Sequence, residues 1–513
     1  RFSPKGHLLM KQEYQYDAPG QLGLSDPGVY TEGTILSELV WDVGDPDPAV
    51  TADDKYYRKL SRTTKIVYPS RLRSITTTEN EVDQSITFVE FDPISGLPTV
   101  TDVRDELGTV YRERQVPAFN ILPYGTMGSK VNNINNSNQL SAIAGRYQYY
   151  VNPGGGEELI DVGITTWKKG GNYRNLSGGT YSTVAQNDVW RSSQNFKWEN
   201  LLNDNGDGTF NQALANTRQF VGFNYTTLSN NDPDHWRATD EVTLLDRYSS
   251  ALEVLDINGN HKSVKKGHND ELVIADAVNA RYTEFYFCGA EDPNTTTGYF
   301  GGEVHGAAYA YESEVYAHTG KRSLRLNSGD QLPLVRNATF GTAGTDDMSE
   351  QTYVASIWVH KENAENVSLY YQVFNGSTPG PAAYQSVTAS STVKAGNWYL
   401  VTLEVPLANP AFGPYNEVEV GITVGTSCAG GGSCQVYCDD FRLQPQAAQV
   451  NAYVYEADRK RRIATLDNDN FATKTTYDAQ GRVVRESREQ ADRSNLVGGF
   501  KKVVENKYHN HTQ

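Results

Sequence analysis

Long apolar runs are missing from this sequence of 513 residues. No window approaches the run of about 18 apolar residues that a membrane-spanning helix needs, so no transmembrane segment is expected. Methionine is scarce, at 3 residues, and Leu-rich stripes at helical spacing are absent, which excludes a helix bundle. Positive charge is in deficit. With 46 Lys and Arg against 62 Asp and Glu, the formal charge is −16. Broad binding to a nucleic-acid backbone needs cations to displace counterions, so no nucleic-acid partner is expected. The familiar catalytic signatures are missing too: G-x-S-x-G, H-E-x-x-H, a P-loop, or G-x-G-x-x-G after a strand. His305, His318 and His360 stand isolated in the sequence. Acid pairs such as those in "DDMSE" and "CDDF" are too common to single out a glycosidase pair. The expectation is that the chain is not an enzyme. It begins at Arg1 with no signal-peptide apolar core, which reads as a processed chain or a piece of a longer one.

What is present points to sheet. Tyr numbers 32 and Gly 45, and Tyr, Thr and Val suit pleated, half-buried strands. At about 150 residues per domain the length predicts roughly three domains. Residues 1–285 read as short strands broken by turn chemistry, with Asn258-Gly259 a strong hairpin signal. Residues 286–446 alternate more cleanly, as in "TYVASIWVHK" and "EVEVGITV", and fit a β-sandwich or jelly roll. Residues 447–513 carry an internal repeat, with Tyr455 and Tyr477 22 residues apart. The fold class is therefore all-β. The segment "NDNGDGTF" places Asn203, Asn205 and Asp207 ahead of Gly208, half of a calcium loop, but Leu214 stands where the bidentate Glu belongs. A hairpin loop is the better reading.

Cys288, Cys428, Cys434 and Cys438 form an even, clustered set. This reads as disulfides in an exported protein, with a four-thiolate zinc site as the rival; the C-x5-C-x3-C spacing lacks a tight C-x2-C knuckle. Trp358 and Trp398 lie in alternating strands and are expected in the core. Tyr370, Tyr371 and Tyr384, with Phe374, are the candidate stacking platforms for a glycan.

The motif "TTYDAQGRVVRE" resembles the YD repeat of the RHS family, with Tyr477, Asp478, Gly481 and Arg482 at the motif positions. "VYEADRKRRI" is a degenerate copy in which Glu456, Arg459 and Lys460 replace Asp, Gly and Arg. "EFDPISGLPTVTDVRDELG", "YSSALEVLDINGNHKSVKKG" and the closing "ENKYHNHTQ" are similar to segments of large RHS-like surface proteins of Bacteroidetes-type bacteria. The resemblance implies a β-hairpin scaffold in which Asp bonds the turn and Gly supplies positive φ. It also implies a bacterial cell-surface location, reached through an outer-membrane secretion translocon, with an outer-membrane protein partner. Residues 286–446 resemble a family 4/9-type carbohydrate-binding jelly roll through "CGAED", "AHTGKRSLRL", "YVASIWVHK" and "CDDFRLQP". That resemblance implies a structural calcium held by Glu291, Asp440 and the Gly320 carbonyl. If the first and last strands are neighbours, as in that family, Cys288 would bridge Cys438 and leave Cys428 for Cys434, although three pairings exist. The expected function is a non-catalytic surface scaffold or adhesin that binds glycan. The alternatives are an RHS-type shell for toxin delivery or an accessory region of a carbohydrate-active enzyme.

Overall fold

The computed structural model describes residues 10–16, 34–43, 58–67, 71–79, 82–177, 180–199, 220–231, 235–313, 316–344, 346–388, 392–427, 432–456, 460–493 and 497–506. The half calcium loop at Asn203–Gly208 and Cys428 lie outside them. The fold is all-β. Every helix among the described residues is a 3-10 turn of three to six residues, and none is long and apolar enough to cross a membrane.

Contacts divide the chain into two compact units, 1–168 with 192–239 and 169–191 with 240–513. In the first unit, antiparallel strands Met10–Tyr16, Leu72–Glu79, Val82–Phe91, Pro98–Arg104, Val110–Pro117 and Ile143–Val151 pair in succession. A separate hairpin joins Thr34–Val43 to Arg58–Val67. The core of this unit includes Val162, Ile164, Trp198, Phe223 and Trp236, whose rings meet edge-on, the arrangement aromatic quadrupoles favour.

In the second unit a meander runs through Ala251–Asp256, His261–Gly267 and Leu272–Val278. It then passes directly to Gln449–Tyr455, Arg462–Leu466, Ala472–Tyr477, Val483–Gln490 and Gly499–Glu505. One turn is used repeatedly. At Asp478 the side chain accepts the Gln480 and Arg482 amides at 3.0 and 2.8 Å, and Gly481 takes φ +81°. The same wiring recurs at Asp246, Asp256 and Asp467, with Ser249, Gly259 and Asn470 at positive φ. The Asp oxygen satisfies turn amides that the ladder leaves open, and the left-handed residue closes the hairpin with the strands' own twist.

Between the neighbouring strands Leu272–Val278 and Gln449–Tyr455 the chain leaves to build a sandwich. Its larger sheet contains Ala310–Glu312, Arg322–Asn327, Gln435–Pro445, Thr352–His360, Trp398–Pro406 and Val393–Ala395, with Tyr286–Cys288 beside Gln435–Pro445. Its smaller sheet contains Gln331–Thr339, Glu417–Val424, Val367–Asn375 and Thr378–Ser386. Strand alternation explains how one segment serves two cores. Tyr286 and Cys288 enter the sandwich core with Phe441 and Leu443, while Phe285 and Phe287 turn the other way, onto Val450, Val454 and Leu466 of the meander.

The expected Cys288–Cys438 bridge is corrected by this register. Both are buried free thiols. Cys288 stands opposite Phe441, whereas Cys438 stands opposite Leu324 and Val359. Three strand residues span about 10 Å, beyond the roughly 7 Å Cα separation a disulfide can bridge. Burial pushes both thiols up in pKa, so they are unreactive in the native state. Alkylation of the native chain should leave Cys288 and Cys438 unlabelled, while unfolding without reductant should expose both. Failure to label after unfolding would establish a bridge.

Candidate functional site

Trp358 and Trp398 are buried, but not inside the sandwich. Ile357 and Val359 take the inward positions. Trp358 points out of the larger sheet and packs with Trp398, Leu400 and Phe471 of the meander. Its indole N–H donates to the Asn470 carbonyl at 2.8 Å. Asn470, at φ +66°, donates its own amide to the Asp440 carbonyl at 2.9 Å and to Ser356 Oγ at 3.3 Å. Arg442 is fully buried, and one of its guanidinium nitrogens donates to the carbonyls of Val450, Asp467 and Asn468. These bonds join the sandwich's outer face to the turn at Asp467.

His318, isolated in the sequence, lies at the centre of this junction. Its Nδ1 is 2.7 Å from Asp440 Oδ2 and its Nε2 is 2.7 Å from Glu489 Oε1. The ring stacks on Trp358 at 4.4 Å. Burial works against the imidazolium, but the charges of Glu489 and Asp440 outweigh it and raise the pKa. Asp440 and Glu489 come from the sandwich and the meander respectively, so a charge-assisted bridge crosses between them. Glu489 also accepts the Ala472 amide. An Asp–His–Glu set has the outline of a proton relay. With side-chain exposures of 0, 0 and 1 %, however, the set is sealed from solvent, and its bonds run between the sandwich and the meander.

The residues expected to bind calcium border this junction. Glu291 Oε1 accepts the Lys321 and Arg322 amides at 2.7 and 2.6 Å. Gly320 has φ +61°, and a Cβ there would lie 2.2 Å from Glu291 Oε1. Asp440 is close enough to act electrostatically on Glu291, but its carboxylate is engaged by His318 and by Thr319 Oγ1 at 2.8 and 2.9 Å. Asp439 beside it accepts the His318 amide at 2.8 Å. Burial, reinforced by neighbouring charge, raises Glu291 to about 7 and lifts Asp439 well above the carboxylate range. The corner thus gathers oxygen donors suited to a hard cation. Among the described residues, no three His, Cys, Asp or Glu side chains converge as a metal set; backbone carbonyls would have to complete one.

The three candidate platform tyrosines separate. Tyr371 is buried in the sandwich core and meets Phe412 edge-on. Tyr370 has no exposed surface: its ring is covered by Tyr384 at 5.9 Å and its hydroxyl donates to Glu419 at 2.7 Å. Neither presents a free ring, which corrects both as platforms. Tyr384 is 58 % exposed on the outer face of the smaller sheet, opposite Tyr370 in register. Ser368 and Ser386 share that face and bond each other at 2.8 Å.

Together these features define an all-β scaffold of Asp-closed hairpins carrying a sandwich fixed to its surface. No family model matches the chain, and no curated protein matches it. Among solved structures, the chain is similar to TcdB2-TccC3-TEV at 9 % identity and TM-score 0.23, covering 85 % of this chain and 23 % of that one. It is similar to TcdB2-TccC3-Cdc42 at 8 % identity and TM-score 0.24, covering 83 % and 23 %. An engineered GH43 glycoside hydrolase with endo-xylanase and exo-arabinofuranosidase activity matches at 9 % identity and TM-score 0.14, covering 72 % and 83 %. The chain spans about a quarter of the length of the TcdB2-TccC3 chains it matches.

Proposed function

We propose that this chain is a non-catalytic segment of a YD-repeat scaffold, in which the hairpin meander forms wall and the sandwich is an integral buttress. The observation that carries this reading is the buried junction of His318, Trp358, Arg442 and Asn470. A sugar-binding module that swings on a linker has no need of bonds from its outer face to its neighbour's turns. With this reading go a place outside the bacterial cell, passage through an outer-membrane translocon and an outer-membrane partner. Calcium at Glu291, the Gly320 carbonyl and Asp440 belongs to the same proposal, because Glu291 and the neighbouring Asp439 are buried carboxylates held up in pKa and short of positive charge. Limited trypsin digestion of the whole chain, with and without EDTA, tests it. The sandwich and meander should be cut as one species, and more readily in EDTA. Release of a stable sandwich fragment would contradict the buttress; indifference to EDTA would remove the calcium.

A second reading shares the wall but gives it contents: an RHS-type shell enclosing a toxin. The same Asp-closed hairpin meander favours it. Adhesion to glycan keeps one specific support, the exposed Tyr384 ring beside hydroxyl-bearing Ser368 and Ser386. If that face binds polysaccharide, Tyr384→Ala should abolish retardation in affinity gels without changing the melting temperature.

A further inference from the structure

A cavity of about 680 Å³ opens in the second unit, lined by residues 174–176, Tyr181 and Tyr282 and by parts of the segments 246–270 and 292–303. This volume falls in the range of small-molecule sites, roughly 300–1,000 Å³. Its floor is a closed set of charges. Arg174 grips Glu303 through two nitrogens at 3.0 and 2.8 Å and reaches Asp346 at 2.8 Å. Tyr282 donates to Glu303 at 2.8 Å. On another wall Lys266 pairs with Asp246 at 2.7 Å. The cations lining the cavity, Arg174, Arg247 and Lys266, are each paired within the protein, so an anionic ligand would enter without an available counter-charge, which is costly at a partly buried site.

The remaining lining is suited to hydroxyls. Half-buried Tyr181, held edge-on by buried Tyr299 at 4.9 Å, gives aromatic surface for a ring's C–H face. Asn294 uses its carbonyl on the Thr296 and Thr297 amides; its NH2 group has no partner among the described residues. Asp292 accepts the His268 amide with Oδ2, and Gly267 and Gly301 are required there, since a Cβ on either would lie 2.9 or 2.7 Å from that oxygen. Asp270 pairs with Arg247 Nε at 3.1 Å, which leaves its other oxygen to accept from a hydroxyl. His268, Asn269 and Asp270 are three successive non-glycine residues at φ +52°, +62° and +67°, and Glu303 takes +68°. Such conformations cost of order 1 kcal/mol or more each and concentrate where geometry is functional.

We propose that this cavity binds a neutral, pyranose-sized polyol, either a free sugar or the end of a glycan chain. The inference is independent of both the scaffold reading and the Tyr384 face. Saturation-transfer NMR on the whole chain tests it, with methyl glycosides of glucose, galactose, mannose and N-acetylglucosamine, the corresponding trisaccharides, glucosamine and inorganic phosphate. At least one neutral glycoside should bind in the millimolar range. Tighter binding of its trisaccharide identifies a glycan end, and equal binding a free sugar. Asp270→Asn should weaken binding about tenfold, equivalent to about 1.4 kcal/mol. Thr295→Trp, which places bulk at the exposed rim, should abolish it, and Tyr384→Ala should leave it unchanged. Binding of glucosamine or phosphate alone, no binding by any probe, or loss only in Tyr384→Ala would overturn the proposal.

Discussion

Glu489→Ala should destabilise the chain by about 3 kcal/mol. The substitution removes one of the two carboxylates that sandwich His318 and leaves the Ala472 amide without its acceptor. Breaking a buried pair from one side costs about 3–5 kcal/mol. The imidazole can release its proton, which places the loss at the lower end. Lys474, half-buried, sits over Phe500 at 3.9 Å and feels both Glu489 and Asp440, so it loses a counter-charge at the same time. Denaturant titration followed by Trp fluorescence measures the effect, because Trp358 stacks on His318. A loss below 1 kcal/mol would mean that the bridge is dispensable. Glu489→Gln should recover part of the loss, since an amide oxygen can still accept from Nε2.

Gly320→Ala should cost about as much, for a different reason. Its φ of +61° is strained for any residue with a Cβ, and the added carbon would lie within 2.8 Å of three Glu291 side-chain atoms. Glu291 would have to swing away, leaving the Lys321 and Arg322 amides unpaired. The strain and the lost acceptor sum to about 3 kcal/mol. A double-mutant cycle separates the two parts. In a Glu291→Ala background the clash is gone, and Gly320→Ala should cost only about 1 kcal/mol, the backbone share. Full additivity of the two substitutions would show that Glu291 does not press on Gly320.

The sheet was legible from composition because Tyr, Thr and Val at period two leave few other folds. The turns were only partly so. Tyr477-Asp478 announced its hairpin through Gly481, and Asn258-Gly259 did the same, but the identical turns at Asp246 and Asp467 place Ser249 and Asn470 at positive φ. The usable signal was an Asp followed three residues later by Gly, Asn or Ser, without regard to the preceding Tyr. Alternation set Trp358 and Trp398 in the core but on the wrong face, because it cannot say which face is inner when both are buried. For the same reason Tyr370 and Tyr371 both looked available, although one is capped by Tyr384 and the other lies in the core. His318 was beyond reach: its partners are 122 and 171 residues away, and only the return of the chain to the meander after the sandwich brings them together.

The central claim is that sandwich and meander form one cooperative body, and native-state hydrogen exchange tests it most directly. The amides of Ile357–Val359 in the sandwich and Ala464–Leu466 in the meander should open with the same free energy, and Glu489→Ala should lower both equally. A sandwich that keeps its protection while the meander loses its own would contradict the account.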